Sequence, residues 1–373
     1  MNPFVIGRVV RASSYCPRPN LEKQLQDHLL AGQAVYVDGP RRHGKTSLIS
    51  HVAGKSFPKR SIKVDFLPYK TAQEAEAALI ESWANEQGLQ KGHFQKILEI
   101  LSQLGVRYAV AGLQVELARE TTAQGKLSLS RFFQEADSWA AKTKKPHLFF
   151  FDEFQAVQDF DQQNKSEFIK HLRTAIQDRP HLRFVFAGSV QHQMHEIFQL
   201  PQSPLFQFAE RIVVRGIEPP ERFHRFLANR FEEGDRKVQS SFWDAVSDIV
   251  ANHPQNTQRL CAAVWNTTSK GDSITDNQIE TAIEWIFQME IDNYQSIVAQ
   301  STALQLKVLK GLASEDDPHP TSQQFLEKIQ HRNASSVRTA LKRFASEGWI
   351  RWEKGHPILF INPFFKEWLR RLS

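Results

Sequence analysis

Residues Gly39-Pro40-Arg41-Arg42-His43-Gly44-Lys45-Thr46 place two glycines, an ammonium and a hydroxyl at the spacing G-x-x-x-x-G-K-[ST]. Glycines at those two positions let the backbone curl until its N–H groups converge on an anion, at the positive end of the helix that follows. A triphosphate fits that arrangement: Lys45 neutralises β- and γ-oxygens and Thr46 offers its hydroxyl to Mg²⁺. On this reading the nucleotide is held by Gly39, Pro40, Arg41, Arg42, His43, Gly44, Lys45, Thr46 and Ser47. The two loop arginines either pack outward or touch phosphate or a neighbouring subunit.

A second reactive group closes the run Leu148-Phe149-Phe150-Phe151-Asp152-Glu153, four bulky apolar residues opening on two acids. The run suits a parallel strand buried on both faces with carboxylates at its C-terminal edge. Asp152 would then share Mg²⁺ with Thr46, and Glu153 would polarise a water for in-line attack on the γ-phosphate. By itself the pattern also fits a strand ending in an acidic turn; the upstream glycine loop favours the catalytic reading. A third apolar run, Arg183-Phe184-Val185-Phe186-Ala187, ends in Gly188-Ser189. Ser189 either senses the γ-phosphate or the attacking water, or caps the next helix. Lys45, Glu153 and Ser189 form the candidate catalytic set, and Thr46 and Asp152 the candidate metal set.

Several elements must position these groups. Ala34-Val35-Tyr36-Val37, stopped by Asp38-Gly39-Pro40, reads as a buried strand, and Ser47 to Val52 continues with helical apolar spacing. Strand, glycine loop and helix therefore come in the required order. Ser61 to Phe66 reads as another strand, and residues 71 to 145 as a polar, largely helical stretch whose Gly105 to Gly112 segment is either a short helix or a small strand. From Glu218-Pro219-Pro220 onward helical periodicity takes over, with Phe223, Phe226, Leu227 and Phe231, then Phe242, Val246, Ile249 and Val250, which predicts a helical lid. After a break at His253-Pro254, another helix carries Arg259, Leu260, Ala263 and Val264.

Beyond the acidic loop Glu315-Asp316-Asp317-Pro318, the chain reads helix, turn, helix, hairpin, the pattern of a winged helix. Ser335 is the expected N-cap of its second helix, in which Val337, Leu341 and Phe344 form one apolar stripe and Arg338, Lys342 and Arg343 lie off it. That helix suits a major groove, with a wing over Arg351 to His356 reaching a flanking phosphate. The alternative is a basic face that is solvated or docks onto the core.

At 373 residues the chain is long enough for two or three domains, and 41% hydrophobic with 24% charged residues is an ordinary globular composition. No apolar run approaches the roughly 20 residues of a bilayer span. Two cysteines, Cys16 and Cys261, and no leader-like N-terminus point to a cytoplasmic protein with free thiols. The formal net charge of +6 is concentrated in residues 300 to 373, with twelve Lys/Arg against seven Asp/Glu, which fits contact with a polyanion without requiring it. His192-x-x-His195 lacks a third ligand at usable spacing and reads as ordinary histidines, and the 27 phenylalanines read as packing.

The order of features resembles the archaeal-type P-loop ATPases, the STAND-like branch close to Orc/Cdc6-type AAA+ proteins. The resemblance rests on Asn2-Pro3-Phe4 with Gly7, the Arg18 to Leu25 lead-in helix, the glycine loop through Ser47, Phe151-Asp152-Glu153-Phe154-Gln155, Gly188-Ser189, Ser203-Pro204-Leu205-Phe206, and Asn362-Pro363-Phe364-Phe365-x-Glu367-Trp368-Leu369. It implies an α/β fold: a RecA-like (ASCE) P-loop parallel sheet core over 1–216, a helical lid over 217–300 and a winged helix over 301–373. It also implies ATP and Mg²⁺, with a slow ATPase acting as a nucleotide-dependent switch. The chain departs from the family pattern at Asn362-Pro363 and His253-Pro254. His253 or Arg259 is nearest to a lid sensor, and Arg211 or Arg215 to an arginine finger for a homo-oligomer. Two other readings stay open: a duplex-DNA-binding initiator or transposition protein using Arg338, Lys342 and Arg343, and a nucleotide-binding scaffold for a protein partner.

Overall fold

The computed structural model describes residues 1–86, 128–160, 167–352 and 357–372. The Gly105 to Gly112 segment and most of the expected wing, residues 353–356, lie outside the described residues. The chain divides into two compact units, Val9–Arg215 and a second made of Met1–Arg8 with Gly216–Ser373.

The first unit is built on five parallel strands: β1 (Val35–Asp38), β2 (Ser61–Asp65), β3 (His147–Asp152), β4 (Leu182–Ala187) and β5 (Glu210–Val213), in the order β2-β3-β4-β1-β5. Every residue of β1 and β3 is buried, as expected of central strands covered on both faces. Alternate side chains on these strands separate into two cores. Tyr36, Phe149, Phe151, Phe184 and Phe186 face one layer, which includes α3 (Ala72–Glu86), α4 (Ser128–Thr143) and α5 (Glu167–Ile176). Val35, Val37, Leu148, Phe150 and Val185 face the other, packed by α1 (Pro19–Leu30) and α2 (Lys45–Ser56). The phenylalanine-rich runs are thus packing, with rings in tilted and edge contacts such as Phe133 on Phe149 at 5.2 Å between centroids. The four strands expected from sequence are present; β5 completes the sheet and was not anticipated.

In the second unit α7 (Pro220–Glu232), α8 (Ser240–Val250), α9 (Pro254–Thr267) and α10 (Asn277–Ala299) follow the helical periodicity of the sequence. Two two-residue strands, Lys237–Val238 and Ser273–Ile274, pair in parallel among them. The N-terminal Asn2-Pro3-Phe4 belongs to this unit: Asn2 Nδ2 donates to the Ala262 carbonyl at 3.0 Å, and Phe4 packs 4.7 Å from Phe231. The chain therefore passes between the units twice, at residues 8–9 and 215–216.

The C-terminal part contains α11 (Ala303–Ala313), α12 (Gln323–Lys328), α13 (Ala334–Ser346), an antiparallel pair of Ile350–Arg351 with Leu359–Phe360, and α14 (Pro363–Arg371). The cap of α13 is Asn333, whose Oδ1 accepts from the Ser335 and Ser336 amides, and not Ser335 as expected. An Asn side chain one residue before the helix reaches both free N–H groups, and Ser335 already lies in the first turn. Both cysteines are buried and not joined in a disulfide, and among the described residues no helix is long and apolar enough to cross a membrane.

His147 opens β3 fully buried, and burial, with the Arg60 charge adding to it, lowers its pKa to about 4. Folded His147 is neutral where an unfolded chain, with an ordinary value near 6.5, takes up a proton. The unfolded state thus binds more protons between those two values, and stability is full above pH 6.5 and falls as pH drops toward 4. We predict that the thermal midpoint declines over this window and that His147→Gln flattens part of the decline in a pH series of melting curves.

Candidate active site

The glycine loop leaves the C-terminal end of β1 and enters α2 at Lys45. Gly39 is required by contact: a side chain there would collide with the Val214 carbonyl at the end of β5. Gly44, at φ 82°, supplies the left-handed turn that starts the helix. Within the loop Lys45 Nζ donates to the carbonyls of Gly39 at 2.7 Å and Pro40 at 2.9 Å. Burial pulls the Lys45 pKa down, while Glu153, Asp152 and Asp38 oppose the shift. A buried ammonium satisfied only by carbonyls is ready to exchange them for phosphate oxygens, whose full charge it is better matched to.

Thr46 and Asp152, on elements 106 residues apart in sequence, meet directly. Thr46 Oγ1 donates to Asp152 Oδ2 at 3.0 Å and lies 3.2 Å from Oδ1. A hydroxyl and a carboxylate in this pairing, beside a phosphate loop, fit Mg²⁺, which takes one or two protein oxygens and fills its octahedron with water and substrate phosphates. The sequence did not reveal a second cation here: Lys63 of β2 reaches Asp152 Oδ2 at 2.8 Å. The register that pairs Asp65 with Asp152 also brings the Asp65 carboxyl close, and its pKa is raised chiefly by burial.

Glu153 follows with φ 48°, a left-handed conformation rare for a residue with a side chain. Its Oε2 accepts from Ser189 Oγ at 2.6 Å and from Gln155 Nε2 at 2.7 Å. Gln155 Oε1 in turn accepts from the Ser189 amide at 3.2 Å. Ser189 does not cap α6 (Gln191–Phe198), which is preceded by Val190 and has no side-chain cap; its hydroxyl lies on Glu153 instead. Lys45, Thr46, Asp152, Glu153 and Ser189 are therefore linked to one sheet edge, while the two loop arginines are exposed.

Three further residues brace the loop. Arg18, 6% exposed, donates from Nη2 to the His43 carbonyl at 2.8 Å and from Nη1 to the Arg215 carbonyl at 3.4 Å. Its guanidinium lies 3.1 Å from where a Gly44 side chain would begin, a second reason for glycine there. Ser47 Oγ accepts from the Val10 amide at 3.2 Å, which ties the segment before α1 to α2. Arg211, one of two candidates for a finger, is held at 2.5 Å by Asp38 Oδ2, whereas Arg215 is exposed. In the second unit, Arg259 pairs with Glu290 and lies over the Phe364 ring, and His253 caps α9 by accepting from the Asn256 amide.

Comparison with known proteins shows the fold. A Walker-type ATPase of Pyrococcus abyssi superposes with a TM-score of 0.65 at 16% identity, covering 99% of both chains. The fold is that of the Walker-type ATPases. The ORC2 protein of Aeropyrum pernix, solved as ADPNP–ADP complexes, superposes with a TM-score of 0.50 at 13% identity over 95% of this chain and 92% of that one. Its ADP form gives 0.50 at 12% identity over 99% and 95%. The family of probable winged helix domains matches residues 292–371. No curated protein sequence matches the chain. The resemblance to Orc/Cdc6-related ATPases thus holds at the level of fold; in this chain's sheet β4 lies between the loop strand β1 and the acidic strand β3.

Arg18→Ala would leave the His43 carbonyl of the loop and the Arg215 carbonyl beyond β5 without their donor. The expected loss is about 1–3 kcal/mol of stability, read as a lower melting temperature, together with weaker nucleotide binding. Unchanged melting and binding would show that the loop holds its shape without Arg18.

Proposed function

We propose that the chain binds Mg·ATP at the glycine loop, hydrolyses it slowly and uses nucleotide state as a conformational switch. The observation that carries this reading is the Glu153 carboxylate, hydrogen-bonded by Ser189 and Gln155 at the same sheet edge as the Lys45, Thr46 and Asp152 set. Lys45 binds the β- and γ-phosphates, exchanging its two carbonyl partners for their oxygens. Thr46 and Asp152 would hold Mg²⁺, which on binding neutralises charge developing on the phosphates. Glu153 takes the proton of the attacking water, and Ser189 holds one of its oxygens in place. For the switch we divide the chain into an ATPase core over 9–215 in place of 1–216, a lid over 216–300 that residues 1–8 join, and a winged helix over 301–373. The two chain crossings flank the loop in sequence terms: Val10 bonds Ser47 just after the first, and Arg215 bonds Arg18 just before the second. Loss of a positioned base typically costs about 10²–10⁴-fold in rate, so Glu153→Gln should abolish most turnover while retaining ATP. Turnover equal to wild type would remove Glu153 from the mechanism.

Duplex DNA is the second reading, favoured by the surface of α13. Arg338 and Lys342 are exposed, opposite buried Val337, Leu341 and Phe344. Arg343 differs: its guanidinium donates to Gln305 Oε1 at 2.7 Å and to the Gln300 carbonyl at 3.1 Å. Arg338→Ala and Lys342→Ala should each lower the salt slope of duplex binding by about one, whereas Arg343→Ala should act mainly on stability. A salt titration by fluorescence anisotropy checks this, and no binding at low salt would discard it.

A further inference from the structure

Gln155 is 4% exposed and directs both ends of its amide at the site. Nε2 donates to Glu153 Oε2 at 2.7 Å, and Oε1 accepts from the Ser189 amide at 3.2 Å, while Ser189 Oγ closes the ring on the same Glu153 oxygen at 2.6 Å. A carboxylate oxygen that receives two donors fixed by a third residue has lost its freedom to rotate, and both hydrogen bonds fall on Oε2. The packing around the amide is equally constrained. A side chain at Gly188 would begin 2.5 Å from Gln155 Oε1 and would collide with the Met194 sulfur. Gly188 is thus the space in which Gln155 lies, and Met194, fully buried, closes it from the other side.

We infer that Gln155 is the positioning residue for Glu153: it fixes Oε2 so that Oε1 is presented to the attacking water. This inference rests on the proposed hydrolysis. A base displaced by about an ångström loses on the order of 10²-fold in rate, because the proton must be taken at the moment the water attacks. The hydrogen bonds of the Gln155 amide run to Glu153 and Ser189, so it acts through them and leaves the phosphate contacts to Lys45.

The test is a split between kcat and nucleotide affinity in the full chain, with ATP turnover and equilibrium binding of a fluorescent ATP analogue read side by side. Gln155→Ala removes the amide. Gln155→Met keeps the length and approximate volume of the side chain, adds no charge and removes both hydrogen bonds, so with melting read alongside it controls for a failure to fold. Gly188→Ala displaces the amide from outside. The inference expects kcat to fall by about tenfold or more in all three with analogue affinity within about twofold of wild type. On a Glu153→Gln background, Gln155→Ala should cause no further loss, since the two act as one unit. Turnover of Gln155→Met within twofold of wild type, or a loss of affinity equal to the loss of kcat, would overturn it. Wild-type protein lacking Glu153-dependent turnover would overturn the hydrolysis reading itself, a result distinguishable because it precedes any Gln155 variant.

Discussion

The Thr46–Asp152 hydrogen bond is the contact on which the remaining geometry depends. It joins the helix that follows β1 to the end of β3, two strands that are not neighbours, because β4 runs between them. The side chains must therefore meet across the C-terminal end of β4, and that end is correspondingly small: Ala187, Gly188, Ser189. Any bulk there would separate the phosphate loop from the acids. Gly188 has the further duty of leaving room for Gln155 and Met194, so one strand terminus sets both the distance between Thr46 and Asp152 and the orientation of Glu153.

Charge balance follows from the same crowding. Asp38, Asp65, Asp152 and Glu153 gather at one sheet edge with Lys45 and Lys63, and Arg211 is drawn onto Asp38. A buried carboxylate is costly unless paired, and here each is given a cation or a fixed hydrogen-bond donor. Lys63 on Asp152 marks the same point: a cation already occupies part of the site that Mg²⁺ would take, so metal binding requires this ammonium to yield one carboxylate oxygen.

Much of this was legible in sequence, for physical reasons. Strands β1, β3 and β4 announce themselves because central parallel strands are apolar on both faces, and Lys45, Thr46, Asp152 and Glu153 stand at their ends in fixed local spacing. Strand β5 escaped because, at the sheet edge, its sequence Glu-Arg-Ile-Val is half polar and exposed at Glu210 and Arg211. Gln155 was legible as part of a motif and not as a role, since its partner Ser189 lies 34 residues on. Arg18 was missed as a brace for the same reason: its target, the His43 carbonyl, carries no side-chain signature. Asn333 displaced Ser335 as the cap because two polar residues two positions apart compete for one helix start, and only backbone geometry decides between them.

The central claim is that Lys45 and its loop hold the phosphates of a nucleotide. Equilibrium binding of ATP with Mg²⁺ to wild type and Lys45→Ala, under identical conditions and with folding verified by melting, tests it most directly. Wild type should bind, and Lys45→Ala should lose about tenfold or more in affinity, in keeping with the removal of a charge-assisted contact worth roughly 1.5–3 kcal/mol. A Lys45→Ala protein that binds ATP as tightly as wild type would contradict it.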